Sequence, residues 1–371
     1  MSAWHAVKQL LAYCYFCPDS PHRPGGVQQI VGPLLSALEE DRRWVVTVVH
    51  PGSCYATIAH FGIPGYGEIM HPDTVDTEAL LESARRLDML VADHDVVLSI
   101  DRILPCLLTR PCVLMSNTLS YQTELVAAQA AQWTRIVVPT ASHGNSVSAV
   151  NPAAPLHVVP YGLPAEVVRE ALETPPAVWG EHPSIVRLPH RPDWRKGHHE
   201  AIEGLAKSLP ESRHVRLDIS WLDEERYESY RKELEGLAHH LGVEQQVMFN
   251  GWHNGSDLRD AVAGSSAVLQ LGKFEETFGL SIVESILCGR PAVTRRQSAI
   301  REVVGPTRLL LEVEEPLTWY GTLNSYWSHG TKRDAETRER LRLAQSLSVD
   351  QMAFRYDRVL REAIDKPKGY A

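Results

Sequence analysis

Long apolar runs are missing from this chain of 371 residues. None approaches the roughly 18 consecutive apolar residues that a membrane-spanning helix needs. The segment MSAWHAVKQLLAYCYFCPDS has a single lysine and no small-residue cleavage site, so it predicts a first strand and not a signal peptide. There is no internal repeat and no low-complexity tract. A hydrophobic content of 44% with 22% charged residues indicates a globular protein.

Cysteine is sparse and poorly placed for metal binding. The six cysteines are scattered, and although Cys14 and Cys17 form a C-x-x-C pair, no second pair or closely spaced Cys/His pair completes a zinc set. We therefore predict reduced cysteines buried in strands, no metal, and a cytoplasmic location.

Positive charge is also in short supply, with 37 Lys and Arg against 46 Asp and Glu and a formal net charge of −9. This argues against nucleic acid and against strong association with anionic membranes, because both reward basic patches. Residues 1–165 alone carry nine basic and fourteen acidic side chains. That excess favours either a cationic ligand or simply a soluble surface.

Strand-like and helix-like segments alternate through the first half, which predicts parallel β-α-β units. The predicted strands are Lys8–Phe16, Trp44–His50, Val96–Ile100, Val113–Ser116, Arg135–Pro139 and His157–Pro160, and the helices are Val27–Asp41, Thr77–Ala92 and Thr123–Trp133.

A second series begins after a proline-rich break. Its predicted strands are Ser184–Leu188, Val215–Ser220, Gln246–Asn250, Ala267–Leu271 and Ala292–Arg295, and its helices are His198–Ser208, Glu225–Leu241, Ser256–Ala263, Asp334–Leu347 and Asp350–Ile364. We predict an α/β protein with two Rossmann-like domains, 1–165 and 184–347, joined by a linker at 166–183. A C-terminal helix in 348–371 is expected to pack back toward the first domain. Tandem domains of this type predict a ligand in the cleft between their strand ends.

Three short segments carry the residue types that bind phosphate. Gly25 and Gly26 precede the first long helix, where a backbone can approach an anion, although G-x-G-x-x-G is absent and a plain tight turn explains them as well. Arg191 and Lys196 follow the first strand of the second series, where two cations can neutralise a leaving diphosphate. The alternative there is a solvated loop.

The third segment is FEETFGLSIVESILCGRPAV, with Glu276 before a short helix and Glu284 inside it. Because Glu284 shares its helix face with small polar residues only, its carboxylate is suited to accept hydrogen bonds from a vicinal diol such as ribose. The helix start offers free amides to an anion. The alternative is that both glutamates pair with structural arginines such as Arg290 or Arg301.

These motifs together resemble glycosyltransferase family 4, the retaining, GT-B-fold, nucleotide-sugar-dependent enzymes. The resemblance covers nearly the whole chain, and its second half is the more specific. The motifs that carry it are the E-x7-E element from Glu276 to Glu284, the Cys288-Gly289-Arg290-Pro291 ending, Arg191…Lys196-Gly197, Gly25-Gly26, Pro160-Tyr161-Gly162 and Phe249-Asn250-Gly251.

The resemblance implies a role for each matching residue and no cofactor or metal. Arg191 and Lys196 would bind the donor diphosphate, Glu276 the donor sugar and Glu284 the ribose. The other implied donor contacts are the amides of Phe278, Gly279, Leu280 and Ser281, the base-lining residues Gly251 to His253, and the Gly25-Gly26 loop.

Two departures from the family pattern concern the sugar. Gly272-Lys273 replaces the usual proline-serine pair before the first glutamate, and Asn117 stands where many relatives have a histidine that faces the sugar. Tyr121 is a second candidate for that contact. Asp93-His94-Asp95 resembles a metal-binding D-x-D but precedes a strand, and the pairs His198-His199 and His239-His240 are expected on solvated helix surfaces.

We therefore expect a retaining glycosyltransferase that moves a sugar from a UDP- or GDP-sugar to a hydroxyl of a soluble acceptor, which is a small natural product or a saccharide, either aminated or not. One alternative is a lipid-linked or cell-envelope acceptor. Others are a nucleotide-sugar 2-epimerase of the same fold, which needs no acceptor, and a catalytically silent binding module.

Overall fold

The computed structural model describes residues 7–14, 26–40, 44–49, 77–104, 109–130, 132–175, 177, 179, 184–251, 255–329 and 333–366. The chain forms two compact units. The first comprises Met1–Pro164 with Leu347–Ala371, and the second comprises Ala165–Ser346.

The first unit contains a six-stranded parallel sheet in the order β2-β1-β3-β4-β5-β6. Its strands are β1 (Lys8–Tyr13), β2 (Trp44–Val49), β3 (Val96–Ile100), β4 (Cys112–Met115), β5 (Arg135–Val138) and β6 (Leu156–Val158). Its helices are α1 (Gly26–Glu40), α2 (Thr77–Asp93), α3 (Gln122–Gln129), α4 (Ala141–Val150) and, from the end of the chain, α13 (Val349–Asp365). The central strands β3 and β4 are wholly buried, as expected for parallel strands covered by helices on both faces.

Helix α13 completes the first unit. The Oγ of Ser348 caps it by accepting from the amide of Gln351, as the capping-box pattern predicts. The helix packs against α1, and Asp357 accepts a buried hydrogen bond from the indole of Trp44 at 2.9 Å. Just before it, the amide of Leu163 donates to the carbonyl of Leu347 at 2.8 Å, so the chain leaves and re-enters this unit at neighbouring points.

The second unit has its own six-stranded parallel sheet, in the order β12-β11-β10-β7-β8-β9. The strands are β7 (Ser184–Leu188), β8 (Val215–Trp221), β9 (Val247–Gly251), β10 (Ala267–Gln270), β11 (Ala292–Arg295) and β12 (Leu310–Val313). The helices are α5 (Ala165–Glu173), α6 (His198–Lys207), α7 (Glu228–His240), α8 (Gly255–Ala263), α9 (Leu280–Leu287), α10 (Ser298–Val304), α11 (Trp319–Ser328) and α12 (Arg333–Ser346).

One feature of this second sheet positions a ligand site. From β7 the chain winds outward to β8 and β9, and then crosses back to β10, β11 and β12 on the other side of β7. The strand order therefore reverses between β7 and β10. In such sheets, ligands bind outside the carboxyl ends of the strands at this switch point.

The linker prediction for 166–183 missed structure. Helix α5 occupies Ala165–Glu173, and Trp179 stacks on Trp327 with ring centroids 6.0 Å apart. Its prolines favour a linker in a sequence-based prediction. In the structure, both α5 and the Trp179–Trp327 stack belong to the second unit. Helices α4, α10 and α11 and strand β12 were also missed. In α4 the buried positions are His143, Gly144 and Val147, which form almost no apolar pattern.

Among the described residues, no helix is long and apolar enough to cross a membrane.

Candidate functional site

The loop after β7 holds Lys196 at the switch point. Residues Trp194–Lys196 form one 3-10 turn, and Asp193 caps it by accepting from the amide of Arg195 at 3.0 Å. The same carboxylate pairs with the Arg195 guanidinium at 2.7 Å. Lys196 is only 9% exposed, because the turn directs it inward while Arg191 earlier in the loop is exposed.

The loop after β10 brings Glu276 to Lys196. The Lys196 Nζ lies 2.5 Å from Oε1 of Glu276 and 3.6 Å from the centroid of the Phe274 ring. Because β7 and β10 are hydrogen-bonded neighbours, the loops at their carboxyl ends meet. Two residues 80 positions apart in sequence therefore form an ion pair there. Two of the three residues predicted as catalytic are thus in direct contact.

Two glycines allow these loops to touch. A Cβ on Gly272 would lie 1.8 Å from the carbonyl oxygen of Arg195, and one on Gly197, whose φ is +91°, would lie 2.4 Å from the amide nitrogen of Gly272. The glycine at position 272, one half of the departure from the family pattern, therefore has a steric reason. Any side chain at position 272 forces the Lys196 turn and the Glu276 loop apart.

Replacing Gly272 with alanine should destabilise the second unit by about 1–3 kcal/mol, because the added methyl group overlaps backbone and not a mobile side chain. Turnover should fall as well, since the Lys196–Glu276 pair is displaced. The matched control is Gly236→Ala in α7, where nothing lies within 4 Å and the substitution should be neutral or stabilising. Equal thermal unfolding of the two variants would contradict this account.

Gln297, in the loop after the neighbouring strand β11, holds the Glu276 loop in place. Its side-chain Oε1 accepts from the amide of Glu276 at 2.8 Å, and its Nε2 donates to the carbonyl of Phe274 at 3.3 Å. The sequence gives no sign of this role, because Gln297 belongs to the loop after β11 and meets the Glu276 loop only in the folded sheet.

The start of α9 offers amides to an anion. Gly279 precedes the helix with φ +80°, and its carbonyl already accepts from the amides of Ile282 and Val283 at 3.0 Å. The amides of Leu280 and Ser281, which come first in the helix, have no helical acceptor. Phe278 is buried beneath this turn with 2% exposure.

Glu284 is buried inside α9 and has no hydrogen-bond partner for its carboxylate in the described part of the chain. Burial raises the pKa of its carboxyl group to about 7, an effect that the charge of Arg259 only partly opposes. Arg259 itself pairs with Glu170 at 3.0 Å. An unpaired buried acid is costly, so a ligand that donates hydrogen bonds to it would relieve that cost.

The two arginines suggested as structural partners of the glutamates, Arg290 and Arg301, bond elsewhere. Arg290 donates to the backbone carbonyls of Pro175, Cys288 and Ala263, and Arg301 pairs with Glu312. Within the described ranges, no hydrogen bond or ion pair joins either arginine to Glu276 or Glu284.

Two buried histidines flank the Lys196 loop, and one of them corrects an expectation. His198 was expected on a solvated surface but is fully buried, with its ring against the hydroxyl of Tyr230 at 3.3 Å. His190 contacts the carbonyl of Leu269 at 3.0 Å. Burial lowers the pKa of each imidazole to about 3, so both are neutral near pH 7. His239 and His240 are exposed, as expected.

Asn117 lies in a buried network of the first unit. Its amide nitrogen donates to Oδ2 of Asp101 at 2.8 Å, and its side-chain oxygen accepts from the hydroxyl of Tyr161. Burial raises the pKa of Asp101 to about 7, and this residue has a left-handed backbone with φ +56°. A sugar contact by Asn117 or by Tyr121, which is half-buried at the start of α3, stays a prediction.

The remaining predicted positions are divided between described and undescribed segments. Gly26 opens α1 and Gly251 ends β9, both exposed, whereas Gly25 and His253 lie outside the described residues. Within the D-x-D segment, His94 contacts Leu90 and Thr47, and Asp95 accepts from the amide of Gln9. No group of three or more potential metal ligands converges among the residues described.

Residues 176–341 match the family model of the "Glycosyl transferases group 1". No curated protein sequence matches the chain. Among solved structures, the chain is similar to sucrose-phosphate synthase from Thermosynechococcus elongatus, with TM-score 0.72, 14% identity and coverage of 96% of this chain and 99% of that one. It is also similar to a glycosyltransferase from Rickettsia africae, with TM-score 0.69, 12% identity and coverage of 98% and 100%.

A third similar structure is that of Anabaena Alr3699/HepE in complex with UDP-glucose, with TM-score 0.66, 16% identity and coverage of 96% of this chain and 100% of that one. At these identities the structural likeness shows the fold, whereas the family model also matches the sequence of most of the second unit. The chain therefore has the two-domain GT-B fold of solved glycosyltransferases, and its second unit is similar in sequence to the group 1 glycosyl transferases.

Proposed function

We propose that this protein is a retaining glycosyltransferase that transfers a sugar from a UDP- or GDP-sugar to a hydroxyl group of a soluble acceptor. The observation that carries the proposal is the Lys196–Glu276 ion pair at the switch point of the second sheet. An ion pair with a purely structural role could lie anywhere in the fold. A bound diphosphate-sugar, by contrast, needs a cation near its leaving group and a hydrogen-bond acceptor near its sugar hydroxyls, and both must lie at the switch point.

The donor diphosphate would lie over the carboxyl ends of β7 and β10. There the ammonium of Lys196, the exposed guanidinium of Arg191 and the amides of Leu280 and Ser281 all present hydrogen-bond donors or positive charge. Donors fixed around a developing negative charge lower the barrier more than they tighten ground-state binding. The uridine-diphosphate sugar bound by the Anabaena structure is a ligand of this kind.

The reaction breaks the bond between the anomeric carbon and the phosphate oxygen, and the acceptor hydroxyl oxygen forms the new bond on the same face. The hydroxyl proton passes to the departing diphosphate, so no strong protein base is required. Glu276 orients the sugar hydroxyls, and Glu284 accepts hydrogen bonds from the ribose diol. These assignments follow the family resemblance, and no metal or cofactor is included.

The acidic balance of residues 1–165 favours a soluble acceptor over one embedded in an anionic membrane. Of the expected alternatives, a lipid-linked acceptor predicts co-sedimentation with anionic vesicles at physiological salt. An epimerase predicts conversion of a nucleotide-sugar to its epimer with no acceptor present.

The test is a panel of UDP- and GDP-sugars measured by thermal shift and then by turnover. A true donor at 100 times its Kd should stabilise the protein by about 2.7 kcal/mol through mass action, and its product should keep the anomeric configuration. The free nucleoside diphosphate of the preferred donor, UDP or GDP, should stabilise as well, because it retains the diphosphate. Absence of any nucleotide-dependent shift would overturn the proposal, and acceptor-free epimerisation would replace it with the isomerase alternative.

A further inference from the structure

The central loops of the second sheet are basic in an otherwise acidic protein. The ends of β7, β10 and β11 carry six cations and three carboxylates, namely Arg191, Arg195, Lys196, Lys273, Arg295 and Arg296 against Asp193, Glu275 and Glu276. The flanking loops have the opposite balance, with Asp223, Glu224, Glu225 and Arg226 after β8 and Glu314 and Glu315 after β12. Because β11, β10 and β7 are adjacent in the sheet, the three loops that carry these cations follow neighbouring strands.

Part of this positive charge is already neutralised and part is not. Asp193 pairs with Arg195, and Glu276 pairs with Lys196. By contrast, Lys273, Arg295 and Arg296 have no ion-pair partner among the described residues. Lys273 and Arg296 are exposed and Arg295 is half-buried, so all three are available to a ligand.

Two neighbours of these cations in the sequence bond to the loops of the donor site. The amide of Phe274, next to Lys273, donates to the carbonyl of Arg195 at 3.0 Å. Gln297, next to Arg296, bonds to both Glu276 and Phe274. The backbone next to Lys273 and next to Arg296 is thus held by the same contacts that hold the Glu276 loop.

The diphosphate leaves these cations unused. If the proposed function holds, Arg191, Lys196 and the α9 amides take the diphosphate at β7 and β10, and the base lies toward Gly251 at the end of β9. The sugar then extends in the other direction, toward β11. Lys273, Arg295 and Arg296 stand on that side of the switch point.

We propose that the transferred sugar is acidic and that Lys273, Arg295 and Arg296 bind its anionic group. A guanidinium presents its N–H groups in a fork that matches a carboxylate, and an exposed ammonium adds charge without fixing geometry. Specificity for a charged sugar follows, because a neutral sugar offers these cations no anion to pair with. This inference rests on the proposed function and names its substrate class.

The experiment compares the affinity of the full-length protein for UDP-glucuronate and for UDP-glucose by calorimetry. The expected ratio favours UDP-glucuronate by at least about tenfold, and raising the salt to about 0.5 M should reduce it. Lys273→Gln and Arg296→Gln should each lower this affinity ratio about three- to fivefold, as expected when one ion pair between solvent-exposed groups is lost. The ratio cancels any general effect of a variant on diphosphate binding or folding.

The matched control is Arg213→Gln. Arg213 is exposed and lies just before β8, at the amino ends of the strands, so this variant should leave the affinity ratio unchanged. A wild-type ratio near one would overturn the inference while binding of UDP itself still supports the proposed function. A second arm adds glucose 6-phosphate to UDP-saturated protein. Binding that weakens in Lys273→Gln and Arg296→Gln, with a donor ratio near one, would assign these cations to an acceptor phosphate and overturn the acidic-donor inference.

Discussion

Replacing Lys196 with methionine is expected to lower the turnover number about 10²–10³-fold, which is the effect of removing one fixed donor from a developing oxyanion. The side chain is almost fully buried and its Nζ is 2.5 Å from Glu276 and over the Phe274 ring, so it has one defined position. Methionine retains most of its volume and removes its charge. The measurement is steady-state transfer at saturating donor.

A less stable variant would also lose activity, so the effect on folding must be separated from the effect on the chemical step. Lys196→Met alone leaves the partly buried Glu276 without its partner, which costs about 1–3 kcal/mol. The double variant Lys196→Met/Glu276→Gln removes the orphaned charge and should regain thermal stability, but not activity.

The matched control for charge removal is Lys232→Met on α7, where an exposed Lys–Glu pair joins Lys232 to Glu228 at 2.6 Å. That variant should keep wild-type turnover. If Lys196→Met retained more than about a tenth of wild-type turnover, its assigned role in stabilising the leaving group would be wrong.

Replacing Glu284 with glutamine should make the ligand-free protein more stable at pH 8 and a poorer binder of nucleotide. Burial raises the pKa of this carboxyl group from 4.5 to about 7 in the folded state. Ionisation above pH 7 therefore opposes folding, by up to about 3 kcal/mol at 1.36 kcal/mol per pKa unit. Glutamine keeps the shape and removes that cost.

The sign of the pH dependence is specific to Glu284. Below about pH 4.5 the carboxyl group is neutral in both folded and unfolded states, so the two proteins should differ little. Between about pH 4.5 and 7 the advantage of Glu284→Gln should grow, and above pH 7 it should stay constant. Chemical denaturation at several pH values measures it, with Glu228→Gln as an exposed control that shows no such gain.

Nucleotide binding should change in the opposite direction. The carboxylate accepts from two ribose hydroxyls in the proposed complex, and glutamine replaces one of these acceptors with a donor. Affinity for UDP should fall about tenfold or more, consistent with charge-assisted hydrogen bonds of about 1.5–3 kcal/mol. A variant that is stabilised yet binds UDP as tightly as the wild type would show that Glu284 does not hold the ribose.

Sequence patterns located most strands to within a residue or two, since fully buried parallel strands such as CVLM and VVLSI form short, largely apolar runs. They failed for α4 and α5, whose burial involves few apolar residues. Local patterns cannot show a helix that contributes little apolar surface to a core.

The site was predictable where chemistry lay within one segment and unpredictable where it depended on folding. Lys196 and Glu276 could be named from their own loops, but Gln297 binds the Glu276 loop from 21 residues away. The burial of His198 could likewise not be predicted from the sequence, because its neighbours along the chain are polar. Asn117 could be singled out, but not its bonds to Asp101 and Tyr161.

The neighbouring exit and entry points at Leu163 and Leu347 affect the order in which the protein can fold during synthesis. The first unit cannot bury Trp44 against Asp357, or α1 against α13, until the last helix has been translated. The second unit, at Ala165–Ser346, is complete earlier. At about 5–20 residues per second, the half-built first unit waits on the order of 10–40 s while roughly 180 residues are added. The ribosome-bound intermediate therefore exposes the part of α1 that α13 covers in the folded unit, which is a surface that chaperones can bind.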